Sequence, residues 1–293
     1  MFSLIFATKQ ELFNVWIRFG FTCTFIFVIY KMGIKKLTSY LREHAPKSFA
    51  GQPCKFESQV PVAIDVSLFL HKFAYAVGPQ FVDSSFVKFR TNLLQSNMKP
   101  IWVFDGNNLD LKLDERVRRS NIKTSLEKRR LEQSDTYFVA NEIIVSPYVD
   151  RKRIYDHLKT MLQSEDEVLV SKYEGEALCS YLVTQGKAFA AISSDSDLFG
   201  YLCPKIILDC SMGISNAKLI DMKEILEELQ LSESQFQKFC ILCGSDFMKN
   251  VPGIGPVAAF KHAKNGTFPE KIDMEKYETI KNLFATYCYE SID

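Results

Sequence analysis

Apolar and polar positions along this chain alternate between two periods. Short unbroken apolar runs, in VAIDVS (62–67) and KPIWVFD (99–105), predict buried strands. Between them LFLHKFAYAVG predicts a helix ending at Gly78, and SSFVKFRTNLLQSN predicts another, capped by Ser84 or Ser85. Upstream, IKKLTSYLREHAP spaces Ile34, Leu37 and Leu41 as the apolar stripe of an amphipathic helix stopped by Pro46. Leu111 to Gln133 is charged and helix-prone, and RKRIYDHLKTMLQ predicts a further helix. Then EVLVS, YEGEALCSYLVTQG, KAFAAISS and KIILD read as strand, helix, strand, strand, and beyond Ile220 the pattern is helical. The expected fold class is α/β, with a mainly parallel central sheet and helices on both faces. In such sheets sites form beyond the carboxyl ends of the strands.

Composition adds limits. The 293 residues are 47% hydrophobic and 24% charged, enough for a sizeable core, and the net charge of +1 gives no overall basic signal, so polyanion binding must come from local patches. The eight cysteines show no paired zinc spacing; Cys240 and Cys243 form a C-x-x-C inside an apolar helix and read as buried core thiols in a reducing compartment, nuclear or cytoplasmic. Residues 1–31 are rich in Phe and Ile, but the charge-free stretch Phe19 to Tyr30 is 12 residues. A membrane span needs about 20. The expectation is a working start at Met32, with a membrane anchor as the rival. The division expected is a leader (1–31), a main domain (32–220) and a helical region (221–293).

Candidate chemistry changes the picture more. Asp65, Asp105, Glu174, Glu176, Asp195, Asp197 and Asp246 stand at ends of predicted strands or starts of helices. Either close pair alone, E-x-E or D-x-D, suits helix capping or a turn. All seven at one sheet edge would be costly to bury without neutralising charge, and divalent cations supply it most simply. After Asp105 comes a basic stretch in which Lys112 and Arg119 lie two helical turns apart on one face, with Arg116, Lys123, Lys128, Arg129 and Arg130 extending the charge. A charged helix is usually a solvated surface; beside an acid cluster it suits a scissile phosphate. After Asp246, PGIGP (252–256) enters a helix through a G-x-G turn, weak evidence alone for phosphate contact by backbone N–H groups.

The ordered set Met32-Gly33-Ile34, VAID, KPIWVFDG, YEGEA, SSDSD, GSDF and PGIGP resembles the structure-specific 5′ nucleases, the superfamily of flap endonuclease, exonuclease one and the xeroderma pigmentosum G nuclease. The resemblance runs from Met32 to about Ala263. It implies a PIN-like nuclease core, a helical gateway and cap over about 111–150, and a helix-hairpin-helix at about 244–264. It implies two Mg²⁺ ions, with Mn²⁺ as a substitute. Asp105, Glu174, Glu176, Asp195 and Asp197 resemble the inner ligands, while Asp65 and Asp246 resemble residues acting mainly through water. Lys112 and Arg119 would contact the reacting phosphate. Gly33 would lie near the active site and DNA junction. Gly253, Ile254 and Gly255 would grip duplex phosphates, with K⁺ at that turn. His71 stands where flap endonucleases carry a DNA-stacking tyrosine and resembles the exonuclease-one branch. Arg116, Lys123, Lys128 and Arg129 would add DNA contacts. The partner implied is DNA with a 5′ flap, nick or 5′ end, bound by a monomer with no sliding-clamp peptide. The rival functions are a non-catalytic DNA-junction binder on the same fold and a PIN-type ribonuclease.

Overall fold

The computed structural model describes residues 33–54, 56–77, 79–107, 112, 117, 151–208 and 217–286. The chain parts into Met1–Met32 and Gly33–Asp293, and every described residue lies in the second unit. The leader and most of the charged 111–150 stretch therefore lie outside the described residues.

The fold grows from its apolar runs. Val60–Asp65 (β2) and Met98–Phe104 (β3) pair in parallel over six residues, and β2 also pairs in parallel with Ala190–Ile192 (β5). Glu167–Val170 (β4) extends this sheet beside β3, and Lys205–Leu208 (β6) beside β5, both in parallel. Pro61 and Pro100 sit near the starts of their strands, where a missing N–H disturbs the ladder least. Two strands escape the sequence pattern. Lys218–Asp221 (β7) runs antiparallel to β6, and the two-residue Gln52–Pro53 (β1) runs antiparallel to β7. The order is β1-β7-β6-β5-β2-β3-β4. The mainly parallel sheet thus carries an antiparallel edge.

Helices cover the sheet. Leu37–His44 (α1) presents Leu37, Tyr40 and Leu41 to the core. Pro46 does more than stop it, since it opens the short helix Pro46–Ala50 (α2) at a position that needs no N–H. Val66–Val77 (α3) and Val82–Gln95 (α4) follow β2, separated by a 3-10 turn at Pro79–Phe81. The predicted serine cap of α4 is corrected. The helix starts earlier, at Val82, and the Ser84 and Ser85 hydroxyls donate back to the Phe81 carbonyl, each at 2.9 Å. Arg151–Gln163 (α5) leads into β4, Gly175–Thr184 (α6) joins β4 to β5, and Asp197–Gly200 (α7) follows β5. Met222–Leu229 (α8) and Glu233–Cys243 (α9) come next, α9 opened by a capping box between Ser232 and Gln235. Pro256–Lys264 (α10) and Met274–Thr286 (α11) end the described chain.

Two packing features position the site. Phe69, Phe73, Phe86, Phe89 and Trp102 nest edge-on and stacked between α3, α4 and β3. Emptying the Trp102 position would cost about 3–5 kcal/mol. At the rim of this nest, buried Asp166 accepts two bonds from Arg90 (2.7 and 3.1 Å) and one from Trp102 Nε1 (3.0 Å), tying α4 and β3 to the turn before β4. On the other side one apolar cluster joins α1, α6 and β5 to Phe236 and Phe239 of α9. Cys240 and Cys243 are buried free thiols within it, as read from the sequence.

Candidate active site

The site lies where the parallel strands end. Asp65 is the last residue of β2, and its Oδ1 accepts the Ser67 N–H at 3.0 Å, capping α3. Asp105 follows β3 directly. Glu174 is the N-cap residue of α6 and Glu176 lies in its first turn, where the helix dipole favours negative charge. Asp195 lies in the turn after β5 and Asp197 opens α7; Asp195 Oδ1 accepts the Asp197 N–H at 2.9 Å. Asp246 stands in the turn after α9.

Burial and repulsion show how close these acids come. Asp65, Glu176, Asp195 and Asp197 are all buried. The pKa of Asp65 is pushed up to about 8, by burial first and then by Asp105 and Asp195. Glu176 is raised by burial, then by Asp65 and Asp195, against the pull of Lys112. Asp197 is raised by burial, then by Asp195, with Lys112 opposing and Asp246 and Glu174 adding. The acids therefore overlap in two groups. Asp65, Asp105, Glu176 and Asp195 form one; Glu174, Asp197 and Asp246 form the other, joined to the first through Asp195.

Lys112 stands beside the second group. Its Nζ donates to Glu174 Oε2 at 2.5 Å and lies 4.6 Å from the centroid of the Phe247 ring. Burial alone would favour the neutral amine; Glu174, Asp197 and Glu176 outweigh it and raise the pKa above the ordinary lysine value. Lys112 is an internal counterion.

The residues fit hard divalent cations by donor chemistry. Every candidate ligand is a carboxylate, and Asp197 Oδ1 is buried without a hydrogen-bond partner. Among the described residues, no three Asp, Glu, His or Cys side chains already close around one point as a finished chelate.

The small residues are equally specific. Gly175 donates its N–H to Asp105 Oδ1 at 2.7 Å, and a Cβ there would come within 2.9 Å of that oxygen. Gly33 has φ +78°, and a Cβ on it would meet Asp195 Oδ1 at 2.0 Å, so the chain at Gly33 lies against the acids. Gly253 (φ +81°), Ile254 and Gly255 form the turn before α10; the two glycines have open space where a Cβ would be, and Ile254 packs inward. His71 lies exposed on α3. Arg116, Arg119, Lys123, Lys128 and Arg129 lie outside the described residues.

Two site residues escaped the sequence reading. Ser67 Oγ donates to Asp105 Oδ2, and Tyr155 Oη lies 2.8 Å from Ser67 Oγ and accepts the Asp105 N–H at 2.7 Å. Burial, then Asp105, pushes the Tyr155 pKa up. A serine two residues after Asp65 at a helix start was a weak local signal for Ser67. Nothing local pointed to Tyr155, which meets Asp105 across 50 residues of chain.

An edge of this kind suits hydrolysis of a phosphodiester, with hard oxygens for cations and an ammonium for the phosphate, and known proteins define the class as nucleases. The XPG N-terminal domain matches residues 32–126 and the XPG I-region matches 167–246. Flap endonuclease 1 of Brugia malayi is 31% identical over 282 residues, covering 87% of this chain and 69% of that protein. Its counterpart in Glycine max is 30% identical over 280 residues, covering 86% and 72%. Among solved structures, flap endonuclease-1 from Methanococcus jannaschii aligns with a TM-score of 0.60 at 25% identity over 78% of each chain. The catalytic core of Rad2 in complex with DNA substrate shares the fold, with a TM-score of 0.62 at 19% identity over 89% of this chain and 88% of that one. The chain belongs to the XPG and flap endonuclease family of structure-specific 5′ nucleases, and is a nuclease hydrolase.

Proposed function

We propose that this chain is a Mg²⁺-dependent nuclease that hydrolyses DNA phosphodiesters at 5′ flaps or 5′ ends by a two-metal mechanism, in DNA replication, repair or recombination. The observation that carries the reading is the set of buried and half-buried carboxylates at the ends of β2, β3 and β5 and at the start of α6, with Lys112 bonded to Glu174. The flap endonuclease 1 relatives support the flap as substrate, and the Rad2 core solved with a DNA substrate supports DNA as the polymer.

In this reading Asp105, Glu174, Glu176, Asp195 and Asp197 hold the cations, while Asp65 and Asp246 act mainly through water. When bound, two divalent cations supply positive charge opposite the scissile phosphate and lower the pKa of a water. The side chains do the rest. Lys112 exchanges Glu174 for a phosphate oxygen and stabilises the charge that grows there during displacement. Arg119 is assigned the same role. The open turn at Gly253, Ile254 and Gly255 offers backbone N–H groups to the duplex, with K⁺ at that turn, and His71 stacks on a base.

The test incubates the protein with end-labelled 5′-flap, nicked, blunt and bubble DNA in Mg²⁺, with chelator and RNA-flap arms. Expected is cutting at the flap junction that leaves a 5′-phosphate and stops with chelator. Cutting that persists in chelator overturns the metal assignment, and preference for the RNA flap overturns DNA as substrate.

A further inference from the structure

Asp105 is held on three sides by groups of this chain, and the three contacts have a direction. Its Oδ1 accepts the Gly175 N–H at 2.7 Å. Its Oδ2 accepts from Ser67 Oγ, which spends the serine proton. The Ser67 oxygen lies 2.8 Å from Tyr155 Oη, so in that contact the tyrosine donates. Tyr155 Oη in turn accepts the Asp105 N–H at 2.7 Å. The path runs from the Asp105 amide through two hydroxyls back to the Asp105 carboxylate. It is a closed ring in which every proton points one way, and chains of that kind polarise one another.

We propose that Tyr155 is a positioning residue for Asp105. It fixes the main chain directly and the carboxylate through Ser67, so that the remaining lone pairs of Asp105 face the other acids. The proposal rests on the reading of Asp105 as a cation ligand. The tyrosine ring is itself fixed, packing edge-on against Phe104 with centroids 4.7 Å apart and planes at 87°. Only the hydroxyl belongs to the ring of hydrogen bonds, and Tyr155→Phe removes it while leaving that packing in place. Partners of metal-holding side chains typically contribute about 10- to 100-fold in affinity or activity.

Mn²⁺ titrated calorimetrically into the full chain without DNA reads the effect apart from catalysis. Tyr155→Phe is expected to weaken Mn²⁺ binding about tenfold. On a 5′-flap substrate it lowers kcat and leaves KM unchanged. Ser67→Ala is expected to do the same. The double variant should be no worse than the more affected single one, because both cut the same ring. Wild-type Mn²⁺ affinity in both single variants overturns the proposal, as does a double variant whose losses multiply. If Tyr155→Phe fails to fold by circular dichroism, Ser67→Ala alone decides. A wild-type chain that binds no Mn²⁺, or an Asp105→Ala variant that binds it normally, instead overturns the metal reading of Asp105 and this proposal with it.

Discussion

Asp105 and Asp197 stand at the ends of different parallel strands, and the protein treats them differently. Asp105 has both oxygens engaged, by Gly175 and by Ser67, and its amide is held by Tyr155. Asp197 keeps Oδ1 buried without a hydrogen-bond partner, and the positive charge of Lys112, the partner of Glu174, acts on it. One half of the site is fixed by hydrogen bonds, the other balanced by charge. The first sets geometry before a cation arrives; the second stores repulsion that a cation relieves. A pre-organised half and an electrostatically loaded half answer differently to mutation, so the contrast can be broken experimentally.

The largest expected effect removes one carboxylate from either half. Asp197→Asn and Asp105→Ala are each expected to lower flap cleavage about 1,000-fold or more while DNA binding, followed by fluorescence anisotropy, stays measurable. Near-normal cleavage by both would sink the assignment. Next comes Lys112→Met. Cleavage should fall about 100-fold. Leaving the acids without their counterion should also destabilise the cation-free protein by about 3–5 kcal/mol in urea melts. Saturating Mg²⁺ should close most of that gap in stability; a gap that stays the same would show that Lys112 does not share charge with the cation site.

Gly175→Ala probes the fixed half. Its Cβ would press within 2.9 Å of Asp105 Oδ1. The cost expected is about tenfold in kcat, from a small displacement of the carboxylate. Lys112 contacts should be spared, so the cation-free stability gap between Lys112→Met and its parent should be the same in either background. The smallest effect is on pH dependence. Asp65 is raised from 3.8 to about 8 by burial and its acidic neighbours, so the folded chain keeps a proton that the unfolded chain releases over that range. Stability without cations is therefore fully present below the unfolded pKa and is lost as pH rises through the folded one. Thermal melts should show Tm falling by about a few degrees between pH 5 and 8. Mg²⁺ should flatten the slope, because the cation replaces the proton, and a cation-free Tm that rises with pH would contradict this sign.

The legible parts of the molecule were those with local signals. VAIDVS and KPIWVFD announced buried parallel strands because continuous apolar runs leave no face for water. The acids announced themselves because several follow such runs directly. Strands β7 and β1 were missed because four and two residues at a sheet edge carry too little periodicity. Helix α4 began before its serines because Pro79–Phe81 already turns the chain, leaving Ser84 and Ser85 inside the helix. Lys112 was picked out as basic, but its place beside Glu174 and Phe247 depends on tertiary packing. Tyr155 was silent, since its role exists only once α5 lies beside the end of β3.

Asp166 carries a consequence for how such a chain drifts. One buried carboxylate answers both Arg90 and the Trp102 indole, so the three positions form a single hereditary unit. Losing the acid leaves the Trp102 indole without its acceptor while Arg90 keeps Glu165 at 3.4 Å, whereas losing Arg90 leaves a buried carboxylate charge facing the indole N–H. In descendants of this sequence, change at Asp166 should therefore precede change at Arg90, and Trp102, which also fills the aromatic nest, should change last. A lineage that has lost Arg90 should already have lost Asp166.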